Sequence, residues 1–97
     1  MSAQRPGWRR LRIRFATIEQ CYGRGNFDDA GDAIVAELNA LADYPGQYAC
    51  RFGEDCAHDN PWFHALIVEV GGLPDARCRE WLGRVVALGL DDAQFDP

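Results

Sequence analysis

Cys50, Cys56, His58 and His64 bring metal-ligand chemistry together within a short stretch of this sequence. Zinc takes four such ligands in a tetrahedron, and its motifs usually open on two cysteines about two to four residues apart. Here five residues separate Cys50 from Cys56. Cys50 also alternates with Tyr48 and Phe52, on the apolar side of a strand, where free cysteine packs as a small hydrophobe. The spacing argues against a metal centre, and no cofactor is expected. Cys56 with His58, Asp55 and Asp59 has the residue types of an activated thiol nucleophile. All four fall in one polar turn, whereas such groups are normally held by separate rigid elements, so catalysis is not expected there. Gly23-Arg24-Gly25 precedes a helix, as phosphate-cradling loops do. Asp28 and Asp29 would then stand where the phosphate should sit, and no complete glycine-rich nucleotide motif follows.

The strongest chemical signal is cationic. In Arg9-Arg10-Leu11-Arg12-Ile13-Arg14-Phe15, apolar residues alternate with Arg10, Arg12 and Arg14. Strand side chains alternate between faces, so the segment reads as a strand with one apolar and one guanidinium face. Residues 1–25 hold six Arg and one acid, a balance of +5, while residues 26–97 hold four Arg and fourteen acids, a balance of −10; together they give the net −5 of a small acidic protein. All ten basic residues are Arg. Arginine favours bidentate carboxylate or phosphate contacts, but the accompanying Ala, Gly and Asp richness points first to codon usage in a prokaryotic genome.

These side chains need a scaffold. Ninety-seven residues make one domain, with loose tails expected at 1–7 and 91–97. Residues 8–18 read as the first strand and 19–27 as a glycine-containing loop. A helix follows over 28–43, with Ile34, Val35, Leu38, Leu41 and Ala42 on one side and Asp28, Asp29, Asp32 and Asp43 on the other. Residues 47–52 read as a second strand, 53–61 as a polar turn and 62–70 as a third strand. Pro74 opens a second helix over 74–88 with Cys78, Trp81, Leu82, Val85, Val86 and Leu88 as its stripe, and Gly89 closes it. Asp75–Arg79 and Glu80–Arg84 are spaced as i,i+4 pairs on that helix. Residues 90–97 either add an edge strand through Leu90 and Phe95 or hang free. The order β-α-β-β-α(-β) predicts an α/β two-layer sandwich of ferredoxin-like form, an antiparallel sheet with two helices on one face.

Helices on one side leave the other sheet face open, carrying Arg10, Arg12, Arg14 and Arg51 with Phe63, Ala65, Ile67 and Glu69, the last able to pair with an arginine. Trp62, after Pro61, is an exposed anchor candidate. Arg and aromatics are enriched at protein interfaces, and similar sheet faces bind single-stranded nucleic acid. A third reading is a solvated face neutralised by Asp91, Asp92 and Asp96. Asp28, Asp29 and Asp32 form a second surface able to imitate phosphates, as acidic inhibitors do. The expected function is non-enzymatic protein binding of inhibitor or immunity type, acting on a nucleic-acid-handling or toxin-like partner, with a homodimer through the open face as a second use of the same surface. Single-stranded nucleic-acid binding is the alternative. No segment has the length of a membrane span or the apolar core of a signal peptide. A cytoplasmic setting with reduced cysteines is expected.

Overall fold

The computed structural model describes residues 7–96. Strand β1 (Trp8–Arg14) leads into helices α1 (Phe15–Tyr22) and α2 (Phe27–Ala40). Strand β2 (Ala49–Asp55), a 3-10 turn (Pro61–Phe63), strand β3 (Ala65–Gly71), helix α3 (Asp75–Ala87) and strand β4 (Gln94–Phe95) follow. The four strands form one antiparallel sheet in the order β2-β3-β1-β4.

Alternation decides which face is buried. Leu11 and Ile13 of β1 lie opposite Val68 and Leu66 of β3. They share one core with Ile18 of α1, Ala30, Ile34 and Leu38 of α2, and Cys78, Trp81 and Val85 of α3. All three helices therefore sit on the same side of the sheet. The α2 and α3 stripes recur at helical spacing, as the sequence predicts. Leu82 and Leu88 are half-buried against the core, Val35 and Ala42 are half-buried outside it, and Val86 is exposed; Leu41 and Ala42 lie past the end of α2. Trp81 is fully buried, and its Nε1 donates to the Ile34 carbonyl at 3.2 Å, locking α3 to α2.

Several boundaries move. The first strand ends at Arg14, not at residue 18, because Phe15–Tyr22 coils into α1. The Phe15 amide donates to the His64 carbonyl at 3.0 Å, and Ile18 points into the core. The glycine loop shortens to 23–26, where Gly23 and Gly25 take positive φ. Helix α2 ends at Ala40, before Tyr44-Pro45-Gly46 is reached. Strand β2 runs on through Gly53 to Asp55, because an edge strand tolerates glycine and acids. The expected strand over 62–70 begins at Ala65. Pro61 instead opens a 3-10 turn, and Asn60 Oδ1 accepts from the Trp62 amide at 3.0 Å. On α3 the expected i,i+4 pairs are replaced. Asp75 pairs with Arg9, Arg84 with Glu37 at 3.1 Å and Arg77 with Glu80 at 3.0 Å.

Residues 91–96 are not loose. Gln94 and Phe95 pair with Arg12 and Leu11, and the Asp96 amide donates to the Arg10 carbonyl. The tail expected at 1–7 lies outside the described residues except for Gly7, whose carbonyl accepts from the Gly72 amide. Gly89 has φ +104°, and a Cβ there would stand 2.9 Å from Cys21 Sγ, so its turn requires glycine. Among the described residues no helix is long and apolar enough to cross a membrane.

Candidate functional site

On the helix-free face Arg10, Arg12 and Arg14 stand in a row on β1, as expected from the alternation. Their ladder partners on β3 are Glu69, Ile67 and Ala65, and Arg51 lies beyond Glu69 on β2. Each guanidinium has a carboxylate. Arg10 meets Asp96 at 3.4 Å, Arg12 meets Asp55, Arg14 meets Asp92 at 2.8 Å, and Arg51 meets Glu69 at 3.4 Å. The four cations and four anions cancel, so the stripe carries no excess positive charge. The acids come from the β2 end, from β3 and from segment 91–96. Of the three tail acids named from sequence, Asp92 and Asp96 take part and Asp91 remains exposed. Such part-exposed pairs contribute about 0–1 kcal/mol each. Their main effect is to fix the arginine side chains.

Ile67 does not belong to an exposed site. It retains 4% of its exposure and Ala65 none, although both face away from the helices. The aliphatic stems of neighbouring arginines can cover apolar surface in this way. Trp8 closes the other end of the face. The Arg51 guanidinium lies 4.3 Å from its ring centroid, and a Cβ on Gly71 would meet the indole at 2.9 Å. Gly71 is thus the floor on which Trp8 lies.

Trp62 and Phe63 remain outside, 52% and 44% exposed. Their turn is held from several directions. The Phe63 amide donates to Asn60 O at 3.0 Å, and the His64 amide donates to Pro61 O at 3.1 Å. Arg12 Nη2 donates to Phe63 O at 3.3 Å. The Arg14 guanidinium stands 4.8 Å from the Trp62 ring, and the His58 ring lies 4.5 Å from Phe63. Beside the turn is a cavity of about 370 Å³ walled by Arg12, Arg14, Phe63, Asp92 and Gln94. Asp92 Oδ1 is covered there and has no partner among the described residues. Sequence reasoning found Trp62 and Phe63 but missed the turn that presents them. The signal available was Asn60-Pro61, a cap followed by a residue suited to the first helical position.

The remaining candidates lie apart. Asp28, Asp29 and Asp32 are exposed on α2, on the helix side of the molecule. Cys50, Cys56, His58 and His64 do not gather. Cys50 faces the helices, His64 Nε2 contacts the His58 carbonyl at 2.7 Å, and Cys56 is exposed. Among the described residues no three His, Cys, Asp or Glu side chains are grouped to hold a metal. Asp55, the carboxylate beside Cys56, is committed to Arg12 and to the Ala57 amide.

The hydrogen bond from Arg12, then that from the Ala57 amide, holds the Asp55 carboxyl below its ordinary value of 3.8. A carboxyl depressed in the folded state adds stability above the unfolded value and loses it as pH falls through the folded one. Between about pH 5 and pH 3 the wild type should therefore lose more urea resistance than Asp55→Asn. Parallel urea midpoints check this; equal losses refute the pairing.

No protein-family model, curated protein or solved structure matches the chain.

Proposed function

We propose that the chain is a ferredoxin-like, non-enzymatic protein-binding domain of inhibitor or immunity type, acting on a nucleic-acid-handling or toxin-like partner. The β2-β3-β1-β4 order, with helices joining β1 to β2 and β3 to β4, supports that fold assignment. The observation that carries the function is the Trp62–Phe63 knuckle. Two large aromatic side chains are kept in water on a turn whose backbone and flanking arginines are already fixed. Tryptophan and arginine are the residues in which interface energy concentrates. Holding them in place before contact lowers the entropic cost of association. Four free cysteines suit a reducing, cytoplasmic setting.

Nucleic acid is the less supported ligand. Its affinity rests on phosphate neutralisation by excess cations, and the arginines of the stripe are already matched by acids. The test is capture from a lysate of the native host, with and without nuclease, using wild type and the Trp62→Ala/Phe63→Ala variant. The expected result is a protein retained by wild type after nuclease and lost from the variant. Because both residues are exposed, the variant should keep the wild-type urea midpoint. Recovery of nucleic acid alone, lost on nuclease treatment, would overturn the reading.

A further inference from the structure

Strand β2 is an outer strand of the sheet, with β3 on one side and no strand on the other among the described residues. Natural edges of this kind are protected by shortness, proline, charged side chains, above all lysine, or a bulge. Of the charges on β2, Arg51 and Asp55 are tied to Glu69 and Arg12, and Glu54 alone is unpaired among the described residues. The opposite edge, β4, is only two residues long. β2 is seven residues long and contains neither proline nor lysine, and its ladder with β3 runs one-to-one from Ala49↔Gly71 to Asp55↔Ala65 without a bulge. Its outer backbone groups are a template for another strand.

Along the helix side of this edge runs a groove of about 540 Å³, between Phe52 and Glu54 of β2 and Phe27, Asp28, Gly31 and Asp32 of α2. Phe52 is 47% exposed at its floor. Gly31 lies in the interior of α2, where glycine disfavours the helix, although a Cβ would meet only the Phe52 ring at an ordinary 3.6 Å. The missing side chain widens the groove. Asp28, Asp32 and Glu54 enter no ion pair among the described residues.

We infer that the β2 edge and its acidic groove bind an extended segment of another protein carrying Arg or Lys at alternate positions. Strand addition supplies the main-chain hydrogen bonds, and alternate side chains on one face supply specificity. Every second residue of the added strand points to the helix side, where the carboxylates of Glu54, Asp28 and Asp32 line the groove. A second copy of this chain fits badly. Keeping the helices of both copies on one side with Gly53 opposite Gly53 places Glu54 of one copy beside Phe52 of the other. Two acidic grooves then abut. The inference does not depend on the Trp62–Phe63 surface.

The test uses a fluorescent synthetic peptide of about eight residues with alternating arginine and valine. Three comparison peptides are used: one replaces arginine by glutamate, and two carry N-methyl groups on one or the other set of alternate backbone amides, each set lying along one edge of the extended peptide. Saturable binding is expected for the arginine peptide and none for the glutamate peptide. N-methylation along the pairing edge should weaken binding at least about tenfold, the equivalent of one or two lost hydrogen bonds. The variant Asp28→Asn/Asp32→Asn/Glu54→Gln should lose a similar factor, and Trp62→Ala should lose none. Amide shifts on titration should concentrate in β2. Equal binding of peptides N-methylated on either edge would reduce the effect to bulk charge and overturn the inference, as would no binding. A peptide-free dimer dissociated by substitutions in β2 would assign the edge to a second copy instead and equally overturn it.

Discussion

Trp81→Ala should remove a large share of the domain's stability. Trp81 is fully buried, and it holds α3 (Asp75–Ala87) to α2 through its hydrogen bond to the Ile34 carbonyl. Its ring also stands 6.0 Å from Phe95 of β4, so the same side chain supports the edge strand beside β1. Truncating a buried tryptophan removes apolar contact and leaves a cavity the backbone cannot fully close, at about 3–5 kcal/mol. Domains of this size hold about 5–15 kcal/mol in total. Urea denaturation followed by circular dichroism should show the midpoint falling by at least about 1 M. Trp81→Phe keeps much of the volume and loses the hydrogen bond, so its loss should be smaller. A Trp81→Ala midpoint within about 0.5 M of wild type would mean that the α2–α3 contact is not what holds the core together.

The four thiols should divide two and two toward an alkylating reagent. Cys21 and Cys56 are exposed, whereas Cys78 is buried and Cys50 is half-buried facing the helices. Burial pushes the Cys50 thiol from 9.0 up to about 11. Cys78 is also raised, first by burial. The thiolate is the reactive form, and each unit of pKa costs about tenfold in its population, so near neutral pH Cys50 should hold about 100-fold less thiolate than an unshifted thiol. Mass-spectrometric mapping over time should find Cys21 and Cys56 modified first, and Cys50 and Cys78 only slowly until the protein is unfolded. Labelling of Cys50 as fast as Cys56 would show that β2 opens far more readily than its ladder implies.

Much of this architecture can be read from particular residues. The Arg-apolar alternation in β1 assigns both of its faces. Glycine and proline around α3 bracket it to within a residue. Placing Ala65, Ile67 and Glu69 beside the arginines follows from reserving Leu66, Val68 and Val70 for the core, and the ladder places them there. The misreadings share one cause: local pattern does not report on distant partners. Phe15-Ala16-Thr17-Ile18 has strand-like composition, yet the core opposite Ile18 and the His64 carbonyl make it helical. Trp62 and Phe63 have strand propensity, yet the Asn60 cap and the fixed φ of Pro61 turn them outward. Spacing within α3 could not reveal that Asp75 and Arg84 pair with Arg9 and Glu37, sixty-six and forty-seven residues away. For the candidate site, the arginines and exposed aromatics were legible. Glu69, Asp92 and Asp96 were legible as neutralising acids, and they pair with Arg51, Arg14 and Arg10; the part of Asp55, at the far end of β2, was not.

The position of β1 between β3 and β4 also has a kinetic meaning. Both neighbours of the first strand are made long after it, and Asp92 reaches Arg14 across seventy-eight residues of chain. Contacts so distant in sequence place a domain among slower folders, because loop closure must precede the reward of pairing. Residues 1–25 carry +5 and residues 26–97 carry −10, so the cationic strand and the acids that offset it lie far apart in sequence. Arg10 and Arg14 therefore gain their carboxylates only when segment 91–96 closes on β1, so charge neutralisation and completion of the sheet are one step.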